Sequence, residues 1–93
     1  MVTLVVPGAL RAEVGGAARV EVRAVGTVRA VLDEVRVRWP RLERRVRDEA
    51  GEIRRYINVY VDGEDVRRLA GQDTPVPARA EVRIIPSVAG GAG

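Results

Sequence analysis

Apolar residues recur along this chain with two spacings, one typical of strands and one typical of a helix. Near the start, "VTLVV" (2–6) is a short apolar run that predicts a first strand. After the turn signal at 15–16, a pair of glycines, Val20 and Val22 alternate with charged residues, which predicts a half-buried second strand. The two strands together predict a hairpin, joined by "ALRAEV" (9–14) as a loop or a ragged strand extension.

The next segment has helical spacing. Four apolar residues fall at i, i+3, i+4 and i+7 and define one helical face: Val28, Val31, Leu32 and Val35. Thr27 precedes this stripe and is a suitable N-cap, because its hydroxyl can accept from a first-turn amide. Trp39 continues the stripe as a packing residue, and Pro40 closes it.

A second, shorter helical turn is predicted in "RLERRVRDEAG" (41–51). Leu42 and Val46 face inward in this interpretation, and Gly51 terminates the helix. The interleaved charges of the segment are typical of a solvated surface.

The second half of the chain reads as strands separated by turns. In "RYINVYVDGEDV" (55–66), alternation predicts a strand with Ile57, Val59 and Val61 on one face and Tyr56, Asn58 and Tyr60 on the other. Asp62-Gly63 is a tight-turn signal, after which Val66 and Leu69 are expected in a short returning strand. A proline-broken loop (71–80) leads to the final strand "EVRIIPSV" (81–88), with Val82 and Ile84 on one face.

The predicted order is strand, strand, helix, strand, short strand, strand. This order favours an α+β protein of the β-grasp (ubiquitin-like) kind, a mixed sheet with one main helix packed on one face. We expect residues 1–88 to form the domain and 89–93 to form a flexible C-terminal tail. The centre of the core is predicted at five positions: Val31, Leu32, Ile57, Val59 and Ile84.

Composition narrows the possible chemistry. The chain has 93 residues, a net charge of +3 and neither cysteine nor histidine, so a cysteine nucleophile, a histidine base and a histidine metal site are excluded. All 16 basic residues are arginine and are interleaved with 13 acids, which favours a solvated surface over a nucleic-acid interface. No apolar run has the length of a membrane span, and the start is a poor signal peptide, so we expect a cytoplasmic protein.

The C-terminal "IIPSVAGGAG" raises the main functional question. Gly90 and Gly91 follow an apolar strand closely, and Ala92-Gly93 follow them. Glycine lacks a Cβ, so such a tail can thread a narrow channel. A glycine-rich end is also typical of a merely mobile terminus.

Two stretches give the chain a family resemblance: "RYINVYVDGEDVR" (55–67) and "VRIIPSVAGG" (82–91). With them the whole chain resembles the ubiquitin-like sulfur carriers of the ThiS/MoaD/CysO family, most of all the CysO branch. The resemblance implies that an E1-like enzyme adenylates the C-terminal glycine with ATP and that the adenylate becomes a thiocarboxylate. The carrier itself then binds no cofactor and is not an enzyme, and its sulfur passes to a biosynthetic enzyme, for example one that resembles cysteine synthase.

By this resemblance Gly91 is the site of adenylation and of the thiocarboxylate, and Gly90 gives flexibility. The usual family ending stops at the diglycine, which implies cleavage between Gly91 and Ala92 by a JAMM-type zinc protease, unless Ala92-Gly93 are an inert extension. Tyr56, Asn58, Tyr60, Ile85 and Val88 are expected at the partner interface, although tyrosines also simply cover exposed sheet faces.

Two other functions stay open on the sequence. The activated glycine of a ubiquitin-like modifier would be joined to a lysine of a target protein. A plain β-grasp binding module would instead use its arginines on RNA or on a partner protein.

Overall fold

The structure, a computed structural model, describes residues 1–24 and 26–87. Two sheets and two α-helices make up the described chain, together with short 3-10 helices. In chain order the strands and α-helices are β1 (Val2–Val5), β2 (Arg19–Val22), β3 (Gly26–Thr27), α1 (Val28–Arg38), α2 (Pro40–Val46), β4 (Ile57–Val61), β5 (Glu64–Asp65), β6 (Pro75–Val76) and β7 (Glu81–Pro86).

The main sheet has the strand order β2-β1-β7-β4-β5. β1 and β2 form the predicted antiparallel hairpin, with Val2 opposite Val22. β1 and β7 are parallel, with Leu4 beside Val82, and β7 is antiparallel to β4. The first and last strands of the domain therefore lie side by side in the middle of a mixed sheet, which confirms the β-grasp prediction.

Helix α1 packs on one face of this sheet through the predicted stripe. Val28, Val31, Leu32 and Val35 are all fully buried. The Thr27 hydroxyl accepts a hydrogen bond of 3.2 Å from the Ala30 amide, so the predicted N-cap is confirmed. The five predicted core residues are all buried, because each element turns its periodic apolar face towards this single layer.

Trp39 lies at the junction of the two helices. It is half-buried against the core, and the Arg38 guanidinium lies 4.2 Å from its ring centroid, so its predicted packing role is confirmed. Pro40 does more than close α1, since it is the first residue of α2, where a missing N–H costs no helical hydrogen bond.

Helix α2 buries Leu42 and Val46 as predicted, but Gly51 is not its terminator. The helix ends at Val46, and the chain then turns through a loop held by Asp48. One oxygen of that carboxylate accepts from the amides of Ala50 (2.9 Å) and Glu52 (3.0 Å). Gly51 supplies a positive φ of 83° within this turn, so its use is in the loop and not in the helix.

The segment after Pro40 is not uniformly solvated either. Arg47 is 4% exposed, and its guanidinium donates to Glu43 (2.8 Å), Gln72 (3.0 Å) and Asp33 (2.9 Å). Every nitrogen of this buried cation thus has an acceptor, which offsets the cost of removing it from water. It ties α1 and α2 to the loop that carries Gln72.

Three predicted loop or strand assignments are wrong. Residues Gly8–Val14 form a 3-10 helix that buries Leu10 and Val14, instead of a loop or strand extension. The strand after the tight turn is Glu64–Asp65, and Val66 begins a 3-10 helix because the Asp65 carboxylate accepts from the Arg67 amide (2.9 Å).

The third concerns the proline-broken loop at 71–80. It contains a 3-10 helix, Gly71–Asp73, and the strand β6, which pairs with β3. Strands of two residues have no measurable period, so alternation could not predict this second sheet.

Candidate functional site

The face of the main sheet turned away from α1 is called here the outer face. Alternation along β4 and β7 places Asn58, Tyr60, Arg83 and Ile85 on it. Asn58 is directly opposite Ile85, and Tyr60 is opposite Arg83. Ile85 is 40% exposed, whereas Asn58 and Tyr60 are half-buried. The structure thus brings these three predicted interface residues together on one surface.

The C-terminal strand ends in a tether that we call the tail base. The backbone carbonyl of Tyr56 accepts two hydrogen bonds from Ser87, one from the amide (2.7 Å) and one from the hydroxyl (3.2 Å). Successive backbone nitrogens of a strand point to opposite sides. The Ser87 amide points towards β4, so the Pro86 nitrogen points away from it, and the missing N–H of Pro86 removes no hydrogen bond to β4. The tail of the chain therefore leaves from a fixed point beside the exposed ring of Tyr56.

A single arginine supports the tail base from the other side. The Arg67 guanidinium donates to the carbonyls of Arg54 (3.1 Å) and Arg55 (3.2 Å) and to the side-chain oxygen of Asn58. We call this set of contacts the Arg67 brace. It fixes the two residues before Tyr56, and it occupies an Asn58 oxygen that the sequence suggested for a partner.

Sequence reasoning gave no role to Arg67, although a signal existed. Asp62-Gly63 closes the β4–β5 hairpin with positive φ at both residues, and Tyr60 is opposite Asp65. Continuing that register by two residues places Arg67 opposite Asn58. The contact could have been found by counting across the turn.

An open groove of about 570 Å³ lies beside the tail base. Arg45, Arg54 and Arg55 line it together with one acid, Asp48, and we call it the arginine groove. Apolar and neutral groups complete the lining: Tyr56, Ile57, Pro86 and Ser87. Tyr56 is 52% exposed here, so an aromatic ring and three cations stand where the tail leaves the domain.

At the end of the outer face far from the tail base, charged side chains form ion pairs with one another. The Glu81 carboxylate pairs with Arg19 (3.4 Å) and with Arg83 (3.2 Å). Val5 lies between these two arginines in the sheet register and is buried although it belongs to the outer face. Exposed apolar surface and free positive charge are therefore concentrated at the tail end.

Two carboxylates around the β4–β5 turn, Asp62 and Asp65, hold the local backbone. Asp62 accepts from the Glu81 amide (2.9 Å), and Asp65 caps the following 3-10 helix. Within residues 1–24 and 26–87, no three acidic side chains converge as metal ligands would. In the same part of the chain, no helix has the length and apolarity of a membrane span.

Four predicted site residues lie outside the described part of the chain. These are Val88 of the predicted interface, Gly90 and Gly91 of the diglycine, and Ala92 at the predicted cleavage site.

Comparison with known proteins agrees with this geometry. The chain matches the ThiS family over residues 4–91. It is 36% identical to the sulfur carrier protein CysO of Mycobacterium tuberculosis (strain ATCC 25618 / H37Rv), over 97% of this chain and 98% of that protein.

Solved structures of several proteins are also similar. The crystal structure of the Amycolatopsis orientalis BexX/CysO complex has a TM-score of 0.88 and 36% identity, covering 96% of this chain and 98% of that one. SAMP1 from Haloferax volcanii has a TM-score of 0.73 and 31% identity, covering 95% and 96%. By its family match, which includes the diglycine, and by its nearly full-length likeness to CysO, the chain belongs to the ThiS family.

Proposed function

We propose that this protein is a sulfur carrier whose C-terminal Gly91 receives and delivers the sulfur. The observation that carries the proposal is the join between domain and tail. β7 lies between β1 and β4, Ser87 is fastened to the Tyr56 carbonyl, and the diglycine follows four residues after Pro86. The similarity to CysO along the whole chain supports the same function.

The chemistry needs little from the carrier's own side chains. An α-carboxylate has a pKa of about 3.5 and is ionised at neutral pH. One of its oxygens attacks the α-phosphorus of ATP in the activating enzyme, and pyrophosphate leaves. Sulfide, or a sulfur donor at the same oxidation level, then attacks the carbonyl carbon of the acyl adenylate, and AMP departs with the bridging oxygen. The product is a thiocarboxylate, made without any change in oxidation state.

The proposed partners follow from these steps. An E1-like enzyme supplies the adenylation site, and a sulfur-accepting biosynthetic enzyme consumes the thiocarboxylate. That acceptor is a cysteine-synthase-like enzyme or one that makes another sulfur-containing metabolite. The Amycolatopsis orientalis relative was crystallised with BexX, which supports a carrier that docks onto other proteins. The exposed Tyr56 and Ile85 beside the tail base are the surface that such partners would contact.

We further propose that the encoded chain is a precursor. Ala92-Gly93 place the terminal carboxylate two residues beyond the diglycine, so it would overshoot an active site built for Gly91. A JAMM-type zinc protease would remove them, since the residues on both sides of the scissile bond, Gly91 and Ala92, are small.

A protein modifier is the second candidate, favoured by the similarity to SAMP1, a small archaeal modifier protein. A modifier and a carrier share the adenylation step and differ in what attacks the adenylate. The chain contains no lysine, so a modifier of this sequence could not be extended through its own lysine side chains.

The experiment compares the full chain with a chain that ends at Gly91. Each is given the activating enzyme, ATP and sulfide, without protease and in the presence of a lysine-rich acceptor protein. We expect a thiocarboxylate on the short chain, little product on the full chain, and no conjugate with the acceptor. Equal activation of the full chain at Gly93 would contradict the precursor proposal, and a lysine conjugate would favour the modifier.

A further inference from the structure

The arginine groove holds positive charge that the described protein does not neutralise. Arg19, Arg29, Arg47 and Arg83 each lie within 4.0 Å of a carboxylate. Among residues 1–24 and 26–87, no such ion pair includes any of the three arginines of the groove. Among the described residues that line the groove, Asp48 is the one acid, so three guanidinium charges face a single carboxylate, one oxygen of which accepts from two backbone amides.

Because like charges without a counter-charge repel one another, binding of a negatively charged partner lowers the electrostatic energy of the groove. Three guanidinium groups within one concave surface concentrate a positive potential there. The planar guanidinium also fits a carboxylate with two parallel hydrogen bonds, a geometry that favours acidic side chains as ligands.

The groove lies close to the tail, which limits the part of a partner protein that can contact it. Gly91 is the fourth residue after Ser87, and an extended chain covers at most about 3.5 Å per residue, so Gly91 lies no more than about 14 Å from the tail base beside the groove. When the tail is inserted in an adenylation site, the groove therefore faces the enzyme surface around the entrance to that site.

The lining favours a protein segment over a nucleic acid. Tyr56, Ile57 and Pro86 give the groove an apolar lining between its cations, which suits a peptide that carries both acidic and apolar side chains. Single-stranded nucleic acids are held by several stacking aromatic rings along a positive track. Here Tyr56 is the single ring in the groove, and a carboxylate, Asp48, stands among the cations.

We propose that the arginine groove receives an acidic segment of the activating enzyme, and that this contact orients the tail for entry. The proposal rests on the proposed function and names one contact by which the carrier is recognised. Long-range attraction raises the rate of productive encounter, so the contact acts on KM and depends on salt.

The test is a charge reversal with a matched control. The groove pair is Arg45→Glu with Arg55→Glu. Arg54 is kept because its side chain donates to the Arg44 carbonyl (2.8 Å). The control pair, Arg36→Glu with Arg41→Glu, alters the net charge equally at two exposed helical positions outside the groove. Chains ending at Gly91 are compared by ATP-dependent pyrophosphate release at about 0.05 M and about 0.5 M NaCl.

We expect the groove pair to raise KM for the carrier about tenfold at low salt, with kcat within about twofold of the parent. The difference should shrink at high salt, and the control pair should raise KM far less. Thermal melting checks that both pairs are folded. If the groove pair does not fold, Arg45→Gln with Arg55→Gln replaces it, with an expected rise of about threefold.

Equal KM values for the groove pair and the parent would overturn the proposal, as would equal increases for both pairs. Binding of labelled single-stranded RNA that only the groove pair loses, with its KM unchanged, would assign the arginines to nucleic acid instead. A parent chain that is never adenylated would refute the proposed function itself, which separates that failure from failure of the groove.

Discussion

Leu32 and Arg47 are both buried, one as an apolar side chain and the other as a paired cation. Leu32 was predicted in the core from helical spacing and is fully buried, because its position on a stripe fixes its direction once the helix forms. Arg47 was assigned to a solvated surface and is buried, because two of its three acceptors, Asp33 and Gln72, come from distant parts of the chain. Spacing reports which way a side chain points, whereas burial of a charge depends on partners that only the tertiary fold supplies.

Truncation of Leu32 tests the packing of α1 on the sheet. We expect Leu32→Ala to lower the free energy of unfolding by about 2–5 kcal/mol, since a buried leucine loses its contacts and leaves a cavity. Val37→Ala is the control on the same helix, at a residue that is 76% exposed, and should change stability by less than about 0.5 kcal/mol. Urea unfolding followed by circular dichroism measures both. A loss below about 0.5 kcal/mol for Leu32→Ala would show that this face of α1 is misassigned.

At the scale of elements, the long periodic segments were predictable and the short ones were not. β1, β2, β4, β7 and α1 each place several apolar residues on one face, so their periods identify them. β3 and β6 are two residues long and exist only because they pair with each other. Alternation likewise put Asn58 and Tyr60 on the face opposite Ile57, Val59 and Val61, as the structure has them. The Arg67 brace, in contrast, can be found only from the register of the β4–β5 hairpin.

The Arg67 brace gives a prediction that links one element to the tail base. In Arg67→Ala the carbonyls of Arg54 and Arg55 lose their donor, so the backbone leading to Tyr56 is held less firmly. We expect the Ser87 amide, which donates to Tyr56, to exchange with solvent about fivefold faster, equivalent to about 1 kcal/mol of local opening.

Hydrogen exchange measured by NMR at each amide reads this effect directly. Arg68→Ala is the matched control, since Arg68 is exposed and adjacent in sequence but takes no part in the brace. Faster exchange throughout the sheet in Arg67→Ala would indicate global destabilisation, and unchanged exchange at Ser87 would show that the brace does not support the tail base.

At the scale of the whole molecule, the fold places Ser87, the last described residue, beside the surface that we propose for partner recognition. β7 lies between β1 and β4: its residues 81–83 pair with β1, and its residues 82–86 pair with β4 up to the tail base. On the outer face, charged side chains far from the tail base form ion pairs with one another, whereas the surface near the tail base is exposed or positively charged. Ser87 is thus held in the domain by the carbonyl of Tyr56, next to β4, which suits a protein whose tail we propose as the substrate of another protein.

The sulfur-bearing residue is tested most directly on the C-terminal peptide. A chain ending at Gly91 is incubated with the activating enzyme, ATP and sulfide, and trypsin then cuts after Arg83, the last arginine, to release residues 84–91. The account predicts that tandem mass spectrometry finds one oxygen of the Gly91 carboxyl replaced by sulfur, and that omitting ATP abolishes the change. An unmodified peptide from a reaction in which the enzyme has adenylated the chain, or sulfur located on any other residue, would contradict it.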